Sequence, residues 1–370
     1  MLRIKQSNLE DVFRKNRKIV LFGAGSVTKI MFEAYKKLAF EEKVDYIIDN
    51  NKSRDGEIIQ INDKAIRIVS IEHFIDLGYA SYALIIMPVF MLDIVKQLDS
   101  LKEFDEVPCY IYPFLMNRDN DKKFLIKHFK EMKIPKTIHY CWFGRNPFPD
   151  KYKRNIESWK KYCPDYEIVE WNETNYDVKK NRFMRQAYEK RKWEYVSDYA
   201  RKDIIFQYGG VYFDTDVEFI KPIDDLLFHD FFIGCDDVAN IASGAGFGAV
   251  KGNALMKEFR DDYDNHIFVD NAGSIVGKVC GIYESLFFVK YGYKPNNKLQ
   301  ILNNGGVIFP REVLCPISWI GMPDIYTENT LTAHKYDDLL IDNKGKENAP
   351  AQRREIEMLI ERMKRGEAEI

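Results

Sequence analysis

Short apolar runs alternate with amphipathic segments over the first third of the chain. The runs are five or six residues long and rich in Ile, Val and Leu, and the segments between them have apolar residues at helical spacing. Strands that alternate with helices are typical of a parallel sheet covered on both faces. The pattern therefore predicts an α/β fold that begins with a Rossmann-like, parallel-sheet domain over residues 1–116. Its predicted strands are residues 18–22, 44–48, 65–69, 82–87 and 108–112.

The turn after the first of these strands contains two glycines, Gly23 and Gly25, in the sequence GAGS. It resembles the glycine fingerprint of dinucleotide-binding domains, with Asp49 near the position of the acid that binds the ribose. Thr28 occupies the position of the third glycine in that fingerprint. Two interpretations therefore stay open: a structural or protein-contact domain, and a domain that holds a nucleotide.

A polar segment predicts the boundary of a second domain, which we assign to residues 117–342. Residues 117–133 are polar with helical spacing, and Pro135 then opens a new strand. Residues 122–161 contain 12 Lys and Arg against 3 acids, whereas residues 214–237 contain 8 acids against one lysine. Such runs are typical of solvated faces. An acidic cluster that faces a basic one also suits a metal ion with an anionic ligand.

The last segment, residues 343–370, is highly charged and is predicted to form a helical tail. Ile356, Leu359, Ile360 and Met363 recur at helical spacing and would form one apolar face. The pattern leaves open whether this face docks on the body of the protein, on a partner or on a membrane surface.

Two aspartates follow a short apolar strand pattern at residues 211–213, within the segment VYFDTDVEF of residues 211–219. Asp214 and Asp216 are two residues apart, so in extended geometry both side chains point to the same side. Two carboxylates on one side repel each other unless a cation lies between them, and oxygen ligands favour Mg²⁺ or Mn²⁺ over Zn²⁺. The alternative is a solvated turn, because such triplets are common by chance.

The preceding segment, residues 196–210 (VSDYARKDIIFQYGG), predicts a helix that ends at two glycines. Asp198 and Arg201 are three residues apart and so lie on one face of that helix. They could form an ordinary surface ion pair. Because they are so close in sequence to the two aspartates, they would instead lie beside a metal-bound ligand, whose hydroxyl or phosphate oxygens suit the guanidinium.

Several motifs in this part of the chain, taken in order, resemble glycosyltransferase family 32. They lie within residues 134–250 and are IPKTIHYCWFG, SWKKYCPDYEI, SDYAR, the glycine pair and YFDTD. That family includes bacterial capsule and lipopolysaccharide transferases and yeast mannosyltransferases, and it is more distantly similar to the catalytic domain of the clostridial glucosylating toxins. The resemblance implies a GT-A fold for residues 117–342, a nucleotide-sugar donor, retention of the anomeric configuration, and Mn²⁺ or Mg²⁺ as the cofactor.

The same resemblance implies roles for residues that would bind the donor. Trp142 and Tyr212 would sandwich the nucleobase. Ser197, Asp198 and Arg201, from the SDYAR motif, would contact the nucleotide-sugar, with the last two holding hydroxyls of the donor sugar.

It also implies a metal site. Asp216 would be a metal ligand, and Asp214 would bind ribose and sugar hydroxyls or assist at the metal. His334 is a candidate third ligand, although a lone histidine is more often a surface or core residue. The predicted catalytic residues are Asp198, Arg201, Asp214 and Asp216.

Composition narrows the class of protein further. The chain has 55 Lys and Arg against 57 Asp and Glu, and this near-zero net charge of −2 disfavours a protein that coats nucleic acid. Six cysteines without a CxxC pair indicate reduced thiols.

Since the sequence predicts neither a signal peptide nor a spanning segment, we expect a cytoplasmic protein. Peripheral contact with the inner face of the membrane stays open.

The combined prediction is a metal-dependent, retaining glycosyltransferase. Its donor would be a UDP-sugar, with a GDP-sugar as the alternative. Its acceptor would be an oligosaccharide or lipid-linked glycan in bacterial capsule or surface polysaccharide synthesis. Two other functions stay open: a toxin-like protein glycosyltransferase, and a non-catalytic nucleotide or nucleotide-sugar sensor that uses the N-terminal Rossmann-like domain.

Overall fold

A computed structural model describes residues 1–116, 126, 130–337 and 343–368. The strands are β1 (Arg3–Ile4), β2 (Ile19–Phe22), β3 (Val44–Ile48), β4 (Ile58–Ile61), β5 (Lys64–Val69), β6 (Ala83–Ile86), β7 (Pro108–Ile111), β8 (Thr137–Cys141), β9 (Glu167–Trp171), β10 (Gly210–Tyr212), β11 (Val217–Phe219), β12 (Phe231–Gly234), β13 (Phe247–Ala249), β14 (Gln300–Ile301), β15 (Val307–Phe309) and β16 (Thr332–His334).

The α-helices are α1 (Leu9–Lys15), α2 (Ser26–Ala34), α3 (Ile71–Asp76), α4 (Leu92–Asp99), α5 (Tyr112–Met116), α6 (Asp150–Tyr162), α7 (Arg182–Glu189), α8 (Trp193–Tyr208), α9 (Ala254–Asp261), α10 (Cys280–Val289), α11 (Arg311–Leu314) and α12 (Asn343–Ala368). Short 3₁₀ helices lie at Lys36–Leu38, Phe40–Lys43, Lys52–Arg54, Tyr79–Ser81, Lys102–Phe104, Asp224–Phe228 and Asp262–Asn265.

The first sheet has the strand order β1-β7-β6-β2-β3-β5-β4. Every neighbouring pair in it is parallel except β4 and β5, which form an antiparallel hairpin. All four residues of β2 and of β6 are buried, because helices cover both faces. The predicted parallel sheet is confirmed. The sequence patterns missed β1 and β4, which are short or half-exposed edge strands.

The second sheet has the order β14-β15-β12-β13-β10-β8-β9. Strands β10, β8 and β9 are parallel, as are β12 and β15, whereas β13 runs antiparallel to both of its neighbours. Alternate side chains of β10 enter different cores: Val211 packs on one face and Tyr212 on the other. This mixed sheet with helices on both faces is consistent with the GT-A-type domain that the motifs imply.

The short strand predicted at residues 211–213 is present as β10, and the chain leaves it before the two aspartates. Strand β10 ends at Tyr212, and β11 begins at Val217 in a separate two-stranded sheet with β16. The amide of Val217 donates to the carbonyl of Asp214 at 3.1 Å, which closes a turn between the two strands. The two aspartates therefore lie in a turn and not in an extended strand.

The C-terminal helix α12 packs on the first sheet. Ile356, Leu359 and Met363 are buried in the same apolar cluster as the strands of that sheet. The Arg362 guanidinium pairs with Asp99 on α4, with the shortest nitrogen–oxygen distance at 2.6 Å. The apolar face of the tail therefore docks on the body of the protein. The predicted boundaries at 116/117 and 342/343, most of the predicted segment 117–133, and residues 369–370 lie outside the described residues and remain predictions.

Among the described helices, none combines the length and apolar character that crossing a membrane requires.

Candidate active site

The DXD turn and strand β16 bring three potential metal ligands together. The pairing of β11 with β16 places Val217 opposite His334, and this register carries the imidazole to the turn. One ligand atom from each of Asp214, Asp216 and His334 lies within 4.8 Å of the others. The structure thus unites the three residues that the sequence put forward for a metal site.

Asp216 is held by groups from β16 and from the residues just after it. Its Oδ1 lies 3.1 Å from His334 Nε2, and its Oδ2 accepts a hydrogen bond from the amide of Asp337 at 3.0 Å. Burial opposes the charge of Asp216, yet the nearby imidazole keeps the pKa of this carboxyl below its usual value. Likewise, burial alone would lower the pKa of His334, but the carboxylate of Asp216 raises it.

Asp214 is the more accessible of the two aspartates, with 31% of its side chain exposed. Its Oδ1 accepts a hydrogen bond from the Tyr212 hydroxyl at 2.8 Å, and its Oδ2 lies 3.4 Å from Arg201 Nη1. Gly244 lies directly against this carboxylate, because a Cβ at that position would be 2.2 Å from Oδ2. A tyrosine, an arginine and a glycine thus fix the orientation of Asp214.

The predicted pair on helix α8 is formed and is buried. Arg201 Nη2 donates to Asp198 Oδ1 at 2.6 Å, and both side chains are almost fully covered. Burial raises the pKa of Asp198 to about 6, although Arg201 and Lys202 favour its charged form. The Arg201 Nε has no acceptor among the described residues. The surface ion pair considered as an alternative is therefore wrong for this position.

A buried glutamate that no sequence pattern indicated completes this network. Glu284 on α10 accepts hydrogen bonds from Lys202 at 2.7 Å and from the hydroxyl of Ser243, and its carboxylate lies 3.6 Å from Arg201 Nη2. The side chains of Glu284 and Lys202 have no exposed surface. Despite that burial, the two cations keep the pKa of Glu284 below its usual value.

Neither local spacing nor a motif connects Glu284 to the site, because 82 residues separate it from Lys202. The one available signal was an acid, in GIYESLFFV, on a helix that is otherwise strongly apolar. An acid in such a helix is expected to have a buried cationic partner.

The structure does not bring Trp142 and Tyr212 together around one space. Tyr212 is 1% exposed and packs with Phe247 on one face of the second sheet. Trp142 is partly buried on the other face, where its ring lies 4.8 Å from that of Phe148. A nucleobase sandwich between the two rings is therefore not formed. The role of Tyr212 in this structure is to orient Asp214.

Ser197 begins the SDYAR motif on α8. Its hydroxyl donates to the carbonyl of Trp193 one helical turn earlier, at 3.3 Å, and its side chain is half-buried. The predicted contact of Ser197 with the nucleotide-sugar remains a prediction.

The glycine turn of the first sheet is occupied by the protein's own groups. Asp49 Oδ2 accepts from the amide of Ala24 at 3.2 Å, and Arg54 Nη1 lies 3.3 Å from the same oxygen. Pro88 lies so close to Gly23 that a Cβ there would be 2.7 Å from its ring. The acid that would contact a ribose is thus used to close the turn. This observation favours the structural interpretation of the GAGS turn.

Residues 149–233 match the family described as glycosyltransferase sugar-binding region containing DXD motif. The matched segment includes Asp198, Arg201, Tyr212 and both aspartates of the turn. This stretch of the chain is similar to a glycosyltransferase sugar-binding region. For this part of the chain, the predicted resemblance to glycosyltransferase family 32 is confirmed.

Two relatives from Schizosaccharomyces pombe are named as mannosyltransferases. Inositol phosphoceramide mannosyltransferase 1 is 25% identical over 183 residues, which cover 46% of this chain and 56% of the relative. Inositol phosphoceramide mannosyltransferase 3 is 29% identical over 131 residues, which cover 33% of this chain and 35% of the relative. The chain thus spans about half, or less, of the length of these relatives.

Among solved structures, the PaToxG glycosyltransferase aligns with 43% of this chain and 69% of its own. The TM-score is 0.33 and the sequence identity is 16%.

Proposed function

We propose that this protein is a metal-dependent, retaining glycosyltransferase that moves a sugar from a nucleotide-sugar to a hydroxyl of a glycan acceptor. The observation that carries the proposal is the position of the Asp214–Asp216–His334 cluster beside the buried pair of Asp198 and Arg201. The DXD turn and the helical pair belong to a matched sugar-binding region, which supports the use of this site for a donor sugar.

The donor set fits a divalent cation. Arg201 lies against the carboxylates of Asp198, Asp214 and Glu284, and Lys202 pairs with Glu284, so two cations serve three carboxylates. Asp216 adds a fourth carboxylate at the DXD turn, where it pairs with His334. Two carboxylates with one imidazole suit Mn²⁺, which accepts nitrogen more readily than Mg²⁺ does. Asp214, Asp216 and His334 would hold the ion, which when bound supplies positive charge for the leaving diphosphate.

The protein's own groups account for binding and orientation of the donor sugar. Asp198, with its pKa raised to about 6, and Asp214 can accept hydrogen bonds from sugar hydroxyls. Arg201 is held between these two carboxylates and fixes their spacing. In the proposed transfer, the acceptor oxygen bonds to the anomeric carbon as its bond to the diphosphate oxygen breaks. The acceptor proton moves to that diphosphate oxygen.

The donor base and the acceptor are defined less closely than the sugar site. The preference for UDP depended on a clamp of Trp142 and Tyr212, which this structure does not contain. We therefore propose a nucleoside diphosphate sugar, with UDP and GDP forms both to be tested and Trp142 alone as the base-stacking residue. The names of the relatives make a mannosyl donor and a lipid-linked polyol or glycan acceptor reasonable first substrates. A bacterial surface glycan remains the proposed product class.

The test is donor hydrolysis by the purified protein, because transferases release some sugar to water in the absence of an acceptor. UDP-glucose, UDP-galactose, UDP-N-acetylglucosamine and GDP-mannose are incubated with Mn²⁺, and released nucleotide is measured. We expect release from at least one donor, loss of that activity with EDTA and recovery with Mn²⁺. Asp216→Asn should lower turnover about 10²- to 10³-fold, because it removes a charge that would face the cation.

Asp225→Asn is the matched control. Asp225 is an exposed acid shortly after β11, so its loss should leave turnover unchanged. Release from none of the donors would refute the transferase proposal. Activity that survives excess EDTA would refute metal dependence alone.

A further inference from the structure

A tight turn of the second domain reaches the first sheet. In residues 236–240, the side chain of Asp236 accepts hydrogen bonds from the amides of Val238 and Asn240, at 3.0 and 2.8 Å. The backbone amide of Asp236 donates to the carbonyl of Asn240 at 2.8 Å, which closes the base of the turn. Val238 and Ala239 are left at its tip.

The tip is buried against both faces of the first sheet. Val238 belongs to the apolar cluster on one face, and Ala239 belongs to the cluster on the other face. Phe90, which follows β6, contacts Trp319, whose indole donates to Asp236 Oδ2 at 3.3 Å. Because consecutive residues reach both faces, the turn lies across one rim of the sheet, and the contact of Trp319 with Phe90, just after β6, places it at the carboxyl ends of the strands.

The tip is also held by the second domain in an uncommon backbone conformation. Ala239 has a φ of +56°, which non-glycine residues adopt only when their surroundings enforce it. Its carbonyl accepts a hydrogen bond from the buried Tyr293 hydroxyl at 2.6 Å. The turn is thus clamped from two sides.

The chain continues from this turn directly into the candidate active site. The amide of Ile241 donates to Ser285 Oγ at 2.9 Å, and the amide of Ser243 donates to Glu284 Oε2 at 3.1 Å. The carbonyl of Gly244 then accepts from the amide of Asp214 at 2.9 Å. One short segment therefore connects the first sheet to the groups that orient Asp214 and Arg201.

We propose that the first sheet is a positioning domain for the sugar site. Its carboxyl edge, where Rossmann-like domains usually take their ligands, holds the tip of the 236–240 turn. Because the first sheet buries Val238 and Ala239, it keeps Ser243 and Gly244 in position to bond with Glu284 and Asp214. The inference rests on the proposed function for its effect on turnover, whereas its effect on the segment itself is independent of any activity.

The test compares two substitutions in the same cluster. Val238→Ala removes the same two methyl groups as Val95→Ala, and both valines are 3% exposed in the apolar cluster of the first sheet. Val95 lies on α4 and is not part of the turn. Hydrogen–deuterium exchange of residues 240–246 and donor hydrolysis are measured for both variants and for Val238→Ile.

Val238→Ala should speed exchange in residues 240–246 about three- to tenfold and lower kcat by a similar factor, because the cavity loosens the tip. Val95→Ala should lower the thermal midpoint about as much as Val238→Ala does. It should leave exchange in residues 240–246 and kcat as in the wild type. Val238→Ile keeps a branched side chain at the tip and should leave exchange and kcat close to the wild-type values.

Unchanged exchange in Val238→Ala, or the same change in Val95→Ala, would overturn the inference. Binding of NAD to the wild-type protein would also overturn it, because the ligand position at the sheet edge would then be free. If the wild type hydrolyses no donor, the proposed function fails, and the exchange data still decide the inference.

Discussion

A methyl group at Gly244 is expected to disable the site without disturbing the fold. An ideal Cβ there would be 2.2 Å from Asp214 Oδ2, 3.1 Å from its Cγ and 3.5 Å from Arg201 Nη1. The backbone of Gly244 is not in the left-handed region, so Gly244→Ala introduces no backbone strain. The whole effect should fall on the carboxylate of Asp214.

The size of the effect follows from this distance. A Cβ requires at least about 3.0–3.4 Å to a neighbouring heavy atom, so the Asp214 carboxylate must move by about 0.8–1.2 Å from its present 2.2 Å. Such a shift breaks its contact with Arg201 or with the Tyr212 hydroxyl. A misplacement of about 1 Å typically costs about 10²-fold in rate, or about 2.7 kcal/mol of transition-state stabilisation. We therefore expect kcat/KM for donor hydrolysis to fall by about two orders of magnitude.

The assay is steady-state donor hydrolysis for Gly244→Ala, Asp214→Asn and the double variant. If the methyl acts through Asp214, the double variant should be no slower than Asp214→Asn alone, because the two substitutions then remove the same interaction. Gly25→Ala serves as control, since nothing lies within 4 Å of a Cβ at that position. It should retain full activity.

Two results would contradict this reasoning. One is a Gly244→Ala protein with kcat/KM within about twofold of the wild type and an unchanged circular dichroism spectrum. The other is a double variant whose loss equals the product of the two single losses, which would mean that Gly244 acts independently of Asp214.

Three further predictions concern stability. Glu284→Gln should lower the free energy of unfolding by about 3–5 kcal/mol in urea titrations, because it leaves the buried Lys202 ammonium without its counter-charge. An unchanged urea midpoint would show that the ion pair of Lys202 and Glu284 is not formed. His139 accepts from the Trp171 indole and contacts a backbone carbonyl, and burial lowers its pKa to about 4. Because the unfolded chain binds this proton near pH 6.5, stability should fall by about 2 kcal/mol from pH 7.5 to 5. His139→Gln should flatten that slope, and an identical slope in both proteins would contradict the assignment. Deletion of residues 1–116 should give aggregated protein, because the first sheet covers apolar residues of the second domain and of α12. Light scattering would detect the aggregates, and a monomeric, folded fragment would argue against this prediction.

Local sequence was sufficient for the features that depend on neighbours along the chain. The strands of the first sheet follow from short runs of Ile, Val and Leu, because a strand buried on both faces needs apolar residues throughout. The Asp198–Arg201 pair follows from helical spacing, since residues three apart share a face. The motifs around the two aspartates were sufficient to predict the sugar-binding region that the comparison with known families confirms.

The composition of the site was decided by the tertiary structure. Glu284 reaches Lys202 across 82 residues because the fold brings α10 within hydrogen-bond distance of α8, and no local pattern encodes that approach. His334 reaches Asp216 through the pairing of β11 with β16, which begins only because the chain turns at the aspartates. Trp142 and Tyr212 are separated because Trp142, just after β8, packs on one face of the second sheet and Tyr212 on the other. Spacing along a helix or strand determines which residues are neighbours within one element, whereas packing between elements determines which charges, rings and carboxylates meet.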